Sequence, residues 1–185
     1  MIGVEQLRKG VIFEQDGQLL RVLDYEHRKQ ARGGATIRVK VRNLRTGSTT
    51  EKTFPNGQKV RDIKLDHAKV QYLYHDDQFY YFMDNETYEQ TMLNAAQLGD
   101  GVNYMVDGLE IKLETYEGEP IAIELPTTVD MEVVDAEPGF AGDTANAPYK
   151  GCTTETGMKV QVPLFVEAGN TIRVNTETGA YVTRV

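Results

Sequence analysis

The chain has 185 residues, 40% of them hydrophobic and 26% charged, with a formal net charge of −8. This composition is typical of a folded soluble protein of one or two domains, and no apolar run approaches the length needed to cross a bilayer. The N-terminus lacks the basic and apolar regions of a signal peptide, and Cys152 is the only cysteine. These features predict a cytoplasmic protein without an internal disulfide.

The charge is divided unevenly along the chain. Residues 1–64 contain 14 Lys and Arg against 7 Asp and Glu, a net charge of +7, whereas residues 65–185 contain 6 against 21, a net charge of −15. A duplex-DNA-binding protein is expected to be basic over its whole footprint. A basic head on an acidic body instead favours a protein that places one end on RNA, so we expect neither DNA nor a membrane as a partner.

Residues 1–64 carry short β-patterned runs separated by turn signals. Residues 11–15 and 18–23 flank Asp16-Gly17, a strong hairpin signal. Further turns are predicted at 45–47 and 55–57, and a last run at 60–63 closes the unit. Five short strands in about 64 residues predict an SH3-like barrel.

Residues 65–127 predict an OB-fold. Residues 70–74 and 79–83 are β-patterned around Asp76-Asp77, and residues 111–116 and 120–125 form a second hairpin around Glu117-Gly118. Between the hairpins, only residues 94–106 have a helical pattern, which glycines interrupt. Two strands, a short helix and two more strands have the proportions of an OB-fold.

Residues 128–185 predict a second OB-fold without a clear helix. Strands are expected near 129–134, 160–166, 171–175 and 180–183, with a turn-rich loop at 138–144. The chain is therefore predicted to be all-β, with three small barrels at 1–64, 65–127 and 128–185.

Two features admit more than one interpretation. The aromatic residues of runs 70–74 and 79–83 could form a base-stacking platform, although core packing and cross-strand pairing are the favoured interpretation. Residues 28–35 contain three cations and the adjacent Gly33 and Gly34, with no large apolar side chain. This stretch predicts a hairpin tip that turns at its glycines and projects about 13 Å beyond the barrel; a solvated basic loop is the alternative.

The patterns of enzymes and cofactor sites are missing from the sequence. There is no phosphate-binding Gly-Lys-Ser/Thr motif, His27, His67 and His75 fit no zinc spacing, and Cys152 is expected to be a small core residue. We therefore expect no catalytic residue, no metal and no cofactor, and an independent enzyme built on acidic pairs is a remote alternative.

Two stretches carry a family resemblance. The first stretch that carries the resemblance is residues 27–35 with 39–47, and the second is Gly142-Asp143-Thr144 with 160–166 and 172–181. The chain resembles bacterial translation elongation factor P essentially from end to end. This resemblance implies an SH3-like (KOW-type) domain and two OB-folds in an L-shaped arrangement that resembles tRNA. It also implies a factor that binds the ribosome between the peptidyl-tRNA and exit sites, stimulates peptide-bond formation and relieves stalling at consecutive prolines.

The resemblance assigns roles to particular residues. Arg32, presented by Gly33 and Gly34, aligns with the tip residue that points to the acceptor end of the peptidyl-tRNA, and Arg28 and Lys29 would support the RNA contact. The loop Gly142-Asp143-Thr144 resembles the element that lies near the exit-site codon on the small subunit.

Many family members carry a modified lysine at the tip, whereas this chain has Arg32. Two alternatives therefore remain: a modifying enzyme alters Arg32, or Arg32 stays unmodified. The small Gly33-Gly34 turn favours the unmodified form. The expected partners of a monomeric factor are both ribosomal subunits and peptidyl-tRNA. A free-standing RNA-binding or RNA-chaperone protein is the alternative function.

Overall fold

The computed structural model describes residues 1–30, 33–139 and 148–185, and its regular structure is almost entirely β. Within these ranges the helices are α1 (Ala95–Leu98) and two 3-10 helices, Val4–Gln6 and Gly99–Tyr104. No helix there is long and apolar enough to span a membrane. The predicted all-β class is confirmed.

The first sheet has six strands in the order β1-β6-β2-β3-β4-β5. Its longest strands are the neighbours β3 and β4, with 13 and 11 residues. The strands are β1 (Ile2–Gly3), β2 (Ile12–Gln15), β3 (Gln18–Gln30), β4 (Gly33–Asn43), β5 (Thr49–Pro55) and β6 (Lys59–Ile63).

The hairpin turns follow the sequence signals. Asp16 and Gly17 have φ angles of 51° and 74°, as a two-residue turn with left-handed backbone requires. Glu117 and Gly118 repeat this geometry with φ angles of 51° and 80°. The predicted turn at 45–47 is also present, with Gly47 at a φ of 74°.

The core of the first sheet is formed by alternate residues of its strands. Ile37, Val39 and Val41 are fully buried on one face of β4, as their period-2 spacing predicts. They belong to a cluster of buried side chains: Val4, Leu7, Phe13, Leu20, Val22, Ile37, Val39, Val41, Phe54 and Val60.

The second sheet has the order β11-β10-β7-β8-β9. Asn94 caps α1, since its side chain accepts a hydrogen bond from the Gln97 amide at 2.8 Å, and the helix ends at Gly99 with a φ of 57°. The predicted short helix between two hairpins is therefore confirmed. The strands are β7 (Asp66–His75), β8 (Phe79–Asp84), β9 (Gln90–Asn94), β10 (Glu110–Tyr116) and β11 (Glu119–Glu124).

The aromatic residues of β7 and β8 provide core and cross-strand contacts. Tyr72 and Phe82 are buried, and their ring centroids lie 5.8 Å apart. Tyr74 lies opposite Tyr81 in the ladder and stacks on it at 4.6 Å. The favoured interpretation of these aromatics is thus confirmed.

The third sheet has the order β14-β13-β12-β15-β16. Its buried cluster includes Met131, Val162, Ile172 and Val174, and Cys152 lies in this core as predicted. The strands are β12 (Thr128–Ala136), β13 (Tyr149–Thr154), β14 (Lys159–Pro163), β15 (Thr171–Asn175) and β16 (Tyr181–Arg184).

Two details of the third sheet differ from the prediction. Strand β13 was not predicted, because the residues that it buries are Lys150, Cys152 and Thr154, which give no apolar alternation. Strand β14 ends at Pro163 and not at 166, where we expected its end. A proline has no amide hydrogen with which to continue a ladder.

By spatial proximity the chain forms two compact units. The first comprises Met1–His67, Leu93–Gly99 and Glu114–Ala122, and the second comprises Ala68–Met92, Asp100–Leu113 and Ile123–Val185. Two expectations stay predictions: the L-shaped arrangement, and the domain limits at 1–64, 65–127 and 128–185.

Several arginines of the basic head make contacts inside the first unit. Arg21 forms an ion pair with Glu114, whose side chain is only 8% exposed. Arg42 donates a hydrogen bond from Nη2 to the Ala96 carbonyl at 2.8 Å. The same unit contains a second cluster of buried apolar side chains: Leu19, Leu44, Ile63, Ile121 and Ala122. Part of the positive charge of the head is therefore structural.

The two glutamates that pair with head arginines provide a direct comparison. We expect Glu114→Gln to lower the free energy of unfolding by about 2 kcal/mol, because the partly buried Arg21 loses its charged partner. Glu119→Gln is the matched control, since its ion pair with Arg45 is 3.1 Å long and both side chains are more than 40% exposed. Such a surface pair contributes about 0.5 kcal/mol. Guanidinium unfolding of both variants measures the difference, and equal losses would contradict a structural role for Glu114.

Candidate functional site

Strands β3 and β4 stay paired past the last buried residue of the core, and β5 accompanies them only as far as Thr36. Ile37 is fully buried and pairs with His27, whereas residues 33–36 of β4 are partly or fully exposed. The ladder nevertheless extends to the pair Gln30↔Gly33. At about 3.3 Å per residue, the four residues beyond Ile37 span about 13 Å. We call residues 28–30 and 33–36 the arm.

The arm brings four of the predicted site residues to one end of the first sheet. Arg28 and Lys29 lie exposed on β3, and Gly33 and Gly34 lie exposed at the start of β4. Arg32, the predicted tip residue, lies outside the described residues. The predicted loop residues Gly142, Asp143 and Thr144 also lie outside them, in the segment between β12 and β13.

The prediction that the chain turns at Gly33-Gly34 is wrong. Both glycines belong to β4, and the ladder is irregular next to them, since Arg28 pairs with Thr36 but Gln30 pairs with Gly33. Two residues of β4 thus face the single residue Lys29, which is the geometry of a β-bulge. A Cβ added to Gly34 would meet no atom within 4 Å. The glycines therefore extend the ladder and leave open space beside it.

The base of the arm is supported from both sides. On one side, the Asn56 amide donates a hydrogen bond to the Ala35 carbonyl at 3.0 Å, so the end of β5 holds β4. On the other side, the Arg8 guanidinium lies 4.7 Å from the centroid of the Tyr25 ring, and the Tyr25 hydroxyl donates to the Glu5 carbonyl at 3.4 Å. These contacts fix the direction in which the arm leaves the core.

The charge on the arm is accessible to solvent. Arg28 Nε lies 2.9 Å from Glu26 Oε1, and both side chains are more than half exposed. The hydrogen bond and the charge of Glu26 raise the pKa of Arg28. An exposed pair of this kind contributes little stability. Reasoning from the sequence missed Glu26, although its position two residues before Arg28 on the same strand face signals the pairing.

The arm offers the chemistry of a polyanion-binding element. The described part of it presents cationic side chains and exposed strand backbone, both of which bond phosphate and sugar oxygens. Its residues include no paired nucleophile and base. The arrangement is suited to holding an RNA segment in position.

Family models cover each part of the chain. Residues 4–60 match the elongation factor P KOW-like domain, residues 65–123 match the elongation factor P OB domain, and residues 129–184 match the elongation factor P C-terminal domain. A KOW-like sheet with an exposed basic arm, followed by OB-type sheets, defines a translation factor.

A relative of full length identifies the family. The chain is 44% identical over 185 residues to elongation factor P of Thermoanaerobacter sp. (strain X514), with all of both chains covered. This chain belongs to the elongation factor P family and is a translation elongation factor.

A solved structure shares the fold. Eukaryotic translation initiation factor 5A from Methanococcus jannaschii superimposes with a TM-score of 0.52 at 24% identity, covering 68% of this chain and 90% of that chain. The similarity agrees with the sheets described above.

The two kinds of glycine in the first unit should respond differently to a methyl group. We expect Gly34→Ala to change the free energy of unfolding by less than about 0.5 kcal/mol, because its Cβ position is open. Gly47→Ala is the contrasting variant: Gly47 has a φ of 74°, and its Cβ would lie 2.4 Å from the Ala96 carbonyl oxygen. This change should cost about 2 kcal/mol or more. Urea unfolding compares the two, and a large loss for Gly34→Ala would show that the arm needs a glycine in order to fold.

Proposed function

We propose that this elongation factor binds the ribosome between the peptidyl-tRNA and exit sites and stimulates peptide-bond formation at consecutive prolines. The observation that carries the proposal is the exposed basic arm, which continues about 13 Å past the core. Arg32 lies two residues after the β3 limb of that arm in the sequence. Its partners would be both ribosomal subunits and peptidyl-tRNA, in the cytoplasm.

The mechanism requires no acid or base from the factor. Proline is a poor nucleophile and restricts the nascent chain, so the reacting groups rarely reach a productive geometry. A cation fixed against the end of the peptidyl-tRNA would supply orientation, which is the entropic part of catalysis. The planar guanidinium of Arg32 suits phosphates and 2′-hydroxyls, and Arg28 and Lys29 would hold the arm on RNA.

We also propose that Arg32 acts without modification. Its neighbours Gly33 and Gly34 carry no side chain, and Gly34 has open space where a Cβ would lie. A guanidinium beside two such residues can approach RNA closely without an added group.

Variants of Arg32 test the proposed role of the arm. Arg32→Ala should still bind ribosomes within about threefold, because most contacts lie elsewhere, yet lose about 10- to 100-fold of the rate enhancement in Pro-Pro-Pro synthesis. Arg32→Lys keeps the charge but lacks the planar fork, so it should also be clearly defective. Arg61→Ala is the matched control, since Arg61 is an exposed head arginine that pairs with Glu14. Full activity of Arg32→Ala would remove the arm from the mechanism.

The same assay decides whether the tip is modified. Recombinant protein and protein from the native host should have equal intact masses and equal activities. A heavier and more active native protein would contradict a bare arginine while leaving the role of the arm in place.

The loop between β12 and β13 is proposed to contact the exit-site codon on the small subunit, as the family resemblance implies for Gly142, Asp143 and Thr144. The double variant Asp143→Ala/Thr144→Ala should leave the melting temperature within about 2 °C of the parent, because a sequence rich in turn formers is expected to contribute little to a core. It should nevertheless reduce rescue of proline-stalled ribosomes.

A second double variant provides the control for this loop. Glu86→Ala/Thr87→Ala removes an acidic side chain and a threonine from an exposed turn after β8, where the Thr87 hydroxyl accepts a 3.3 Å hydrogen bond from the Glu89 amide. It should rescue stalled ribosomes normally. If Asp143→Ala/Thr144→Ala instead unfolds at a much lower temperature, the loop is structural and its proposed role is wrong.

A further inference from the structure

A row of aromatic rings runs along one face of the β7–β8 hairpin, from the core to the surface. Phe82 and Tyr72 are 0% and 2% exposed and form its buried end. Tyr80 continues the row, 6.1 Å from Tyr72 between ring centroids, and the exposed His75 stacks on Tyr80 at 4.8 Å. The surface end of the hairpin therefore presents flat π faces that are anchored in the core.

An irregularity in β7 produces this row. Residues three apart in a regular strand point to opposite faces of the sheet. Tyr72 pairs with Phe82 and Tyr74 with Tyr81, so Leu73 is an extra residue in the ladder. The extra residue places His75 on the face of Tyr72, where the Tyr72 hydroxyl and His75 Nδ1 lie 2.7 Å apart. The bulge and this hydrogen bond preorganise the exposed ring.

The row lines an open groove of about 590 Å³, within the second compact unit. Asp107 and Glu155 add carboxylates to its lining, and the described lining residues include no Lys or Arg. The Thr156 hydroxyl donates to the Asn103 carbonyl at 2.6 Å, which ties together the two segments that carry these acids. Burial raises the pKa of Tyr72 to about 12, and the nearby Tyr80 and the charge of Asp107 contribute to the increase.

We propose that this groove binds an arginine side chain from a basic segment of a protein partner. Aromatic faces attract cations, and a guanidinium stacks on rings while its N–H groups bond carboxylates. Charge complementarity selects the occupant, since residues 65–185 carry a net charge of −15. A nucleobase would stack on the same rings, but it would bring a phosphate towards Asp107 and Glu155. This proposal is independent of the function of the arm.

Titration of the full chain with small probes tests the site. The probes are the peptide acetyl-Gly-Gly-Arg-Gly-Gly-amide, its uncharged citrulline analogue and guanosine 5′-monophosphate. With ¹³C-labelled histidine and tyrosine, the arginine peptide should produce saturable shifts in the His75 and Tyr80 resonances. His27 and His67 lie outside the groove lining and provide internal references. The citrulline peptide and the nucleotide should produce no saturable shift.

Variants connect the shifts to the groove. Asp107→Asn and Tyr80→Leu should each weaken binding of the arginine peptide by about two- to fivefold, as loss of one exposed cation contact predicts. Asp77→Asn is the matched control, because Asp77 is exposed at the end of the same hairpin and does not line the groove. Asp107→Asn changes only an exposed side chain, so it keeps the test valid if Tyr80→Leu does not fold.

Three results would overturn the proposal. Equal binding of the citrulline peptide would show that charge does not matter, and binding of the nucleotide alone would assign the groove to RNA. The absence of any saturable shift would show that the groove is not a binding site.

Discussion

The proposed function depends on one ladder, the pairing of β3 with β4 beyond the last buried residue, Ile37. A two-stranded ribbon in water is only marginally stable by itself. Here it is continuous with a six-stranded sheet, and the Asn56 amide and the Tyr25 ring hold its base. The core thereby stabilises an element that has no core of its own, and the charged end of the arm has a defined direction. Orientation of RNA by the arm requires this stiffness.

Contacts within the first unit account for part of the uneven division of charge. Arg21, Arg42 and Arg45 contribute to the basic excess of the head, yet they bond Glu114, the Ala96 carbonyl and Glu119 within the first unit. The arm cations Arg28 and Lys29 lie exposed at the end of the sheet, and Arg28 pairs there with the equally exposed Glu26 of its own strand. The acidic remainder would avoid non-specific contact with RNA, and in the aromatic groove its carboxylates provide a site for a cation. In the proposed scheme the basic and acidic regions would bind different partners.

Local rules predicted most of the fold. Asp16-Gly17 and Glu117-Gly118 form the expected turns because the required left-handed backbone is a property of two adjacent residues. Buried Ile37, Val39 and Val41 follow from simple alternation. Strand β13 was missed because its inward residues, Lys150, Cys152 and Thr154, show no apolar period.

The features that could not be predicted depend on partners distant in the sequence or on strand register. Arg21 and Glu114 are 93 residues apart, so no local pattern links them. The bulges opposite Lys29 and at Leu73 arise from the pairing of two strands, and neither strand shows them by itself. For the candidate site, the sequence identified Arg28, Lys29, Gly33 and Gly34 at one end of the head, but not that the glycines lie in the strand.

We propose that the arm acts at the end of the peptidyl-tRNA. The most direct measurement is electron cryo-microscopy of a ribosome stalled at consecutive prolines with this protein bound. We expect density for the protein beside the peptidyl-tRNA, with the β3–β4 ladder intact and the Arg32 guanidinium within hydrogen-bonding distance of the acceptor end. Density for the protein at another site, or an arm directed away from the tRNA, would contradict this proposal.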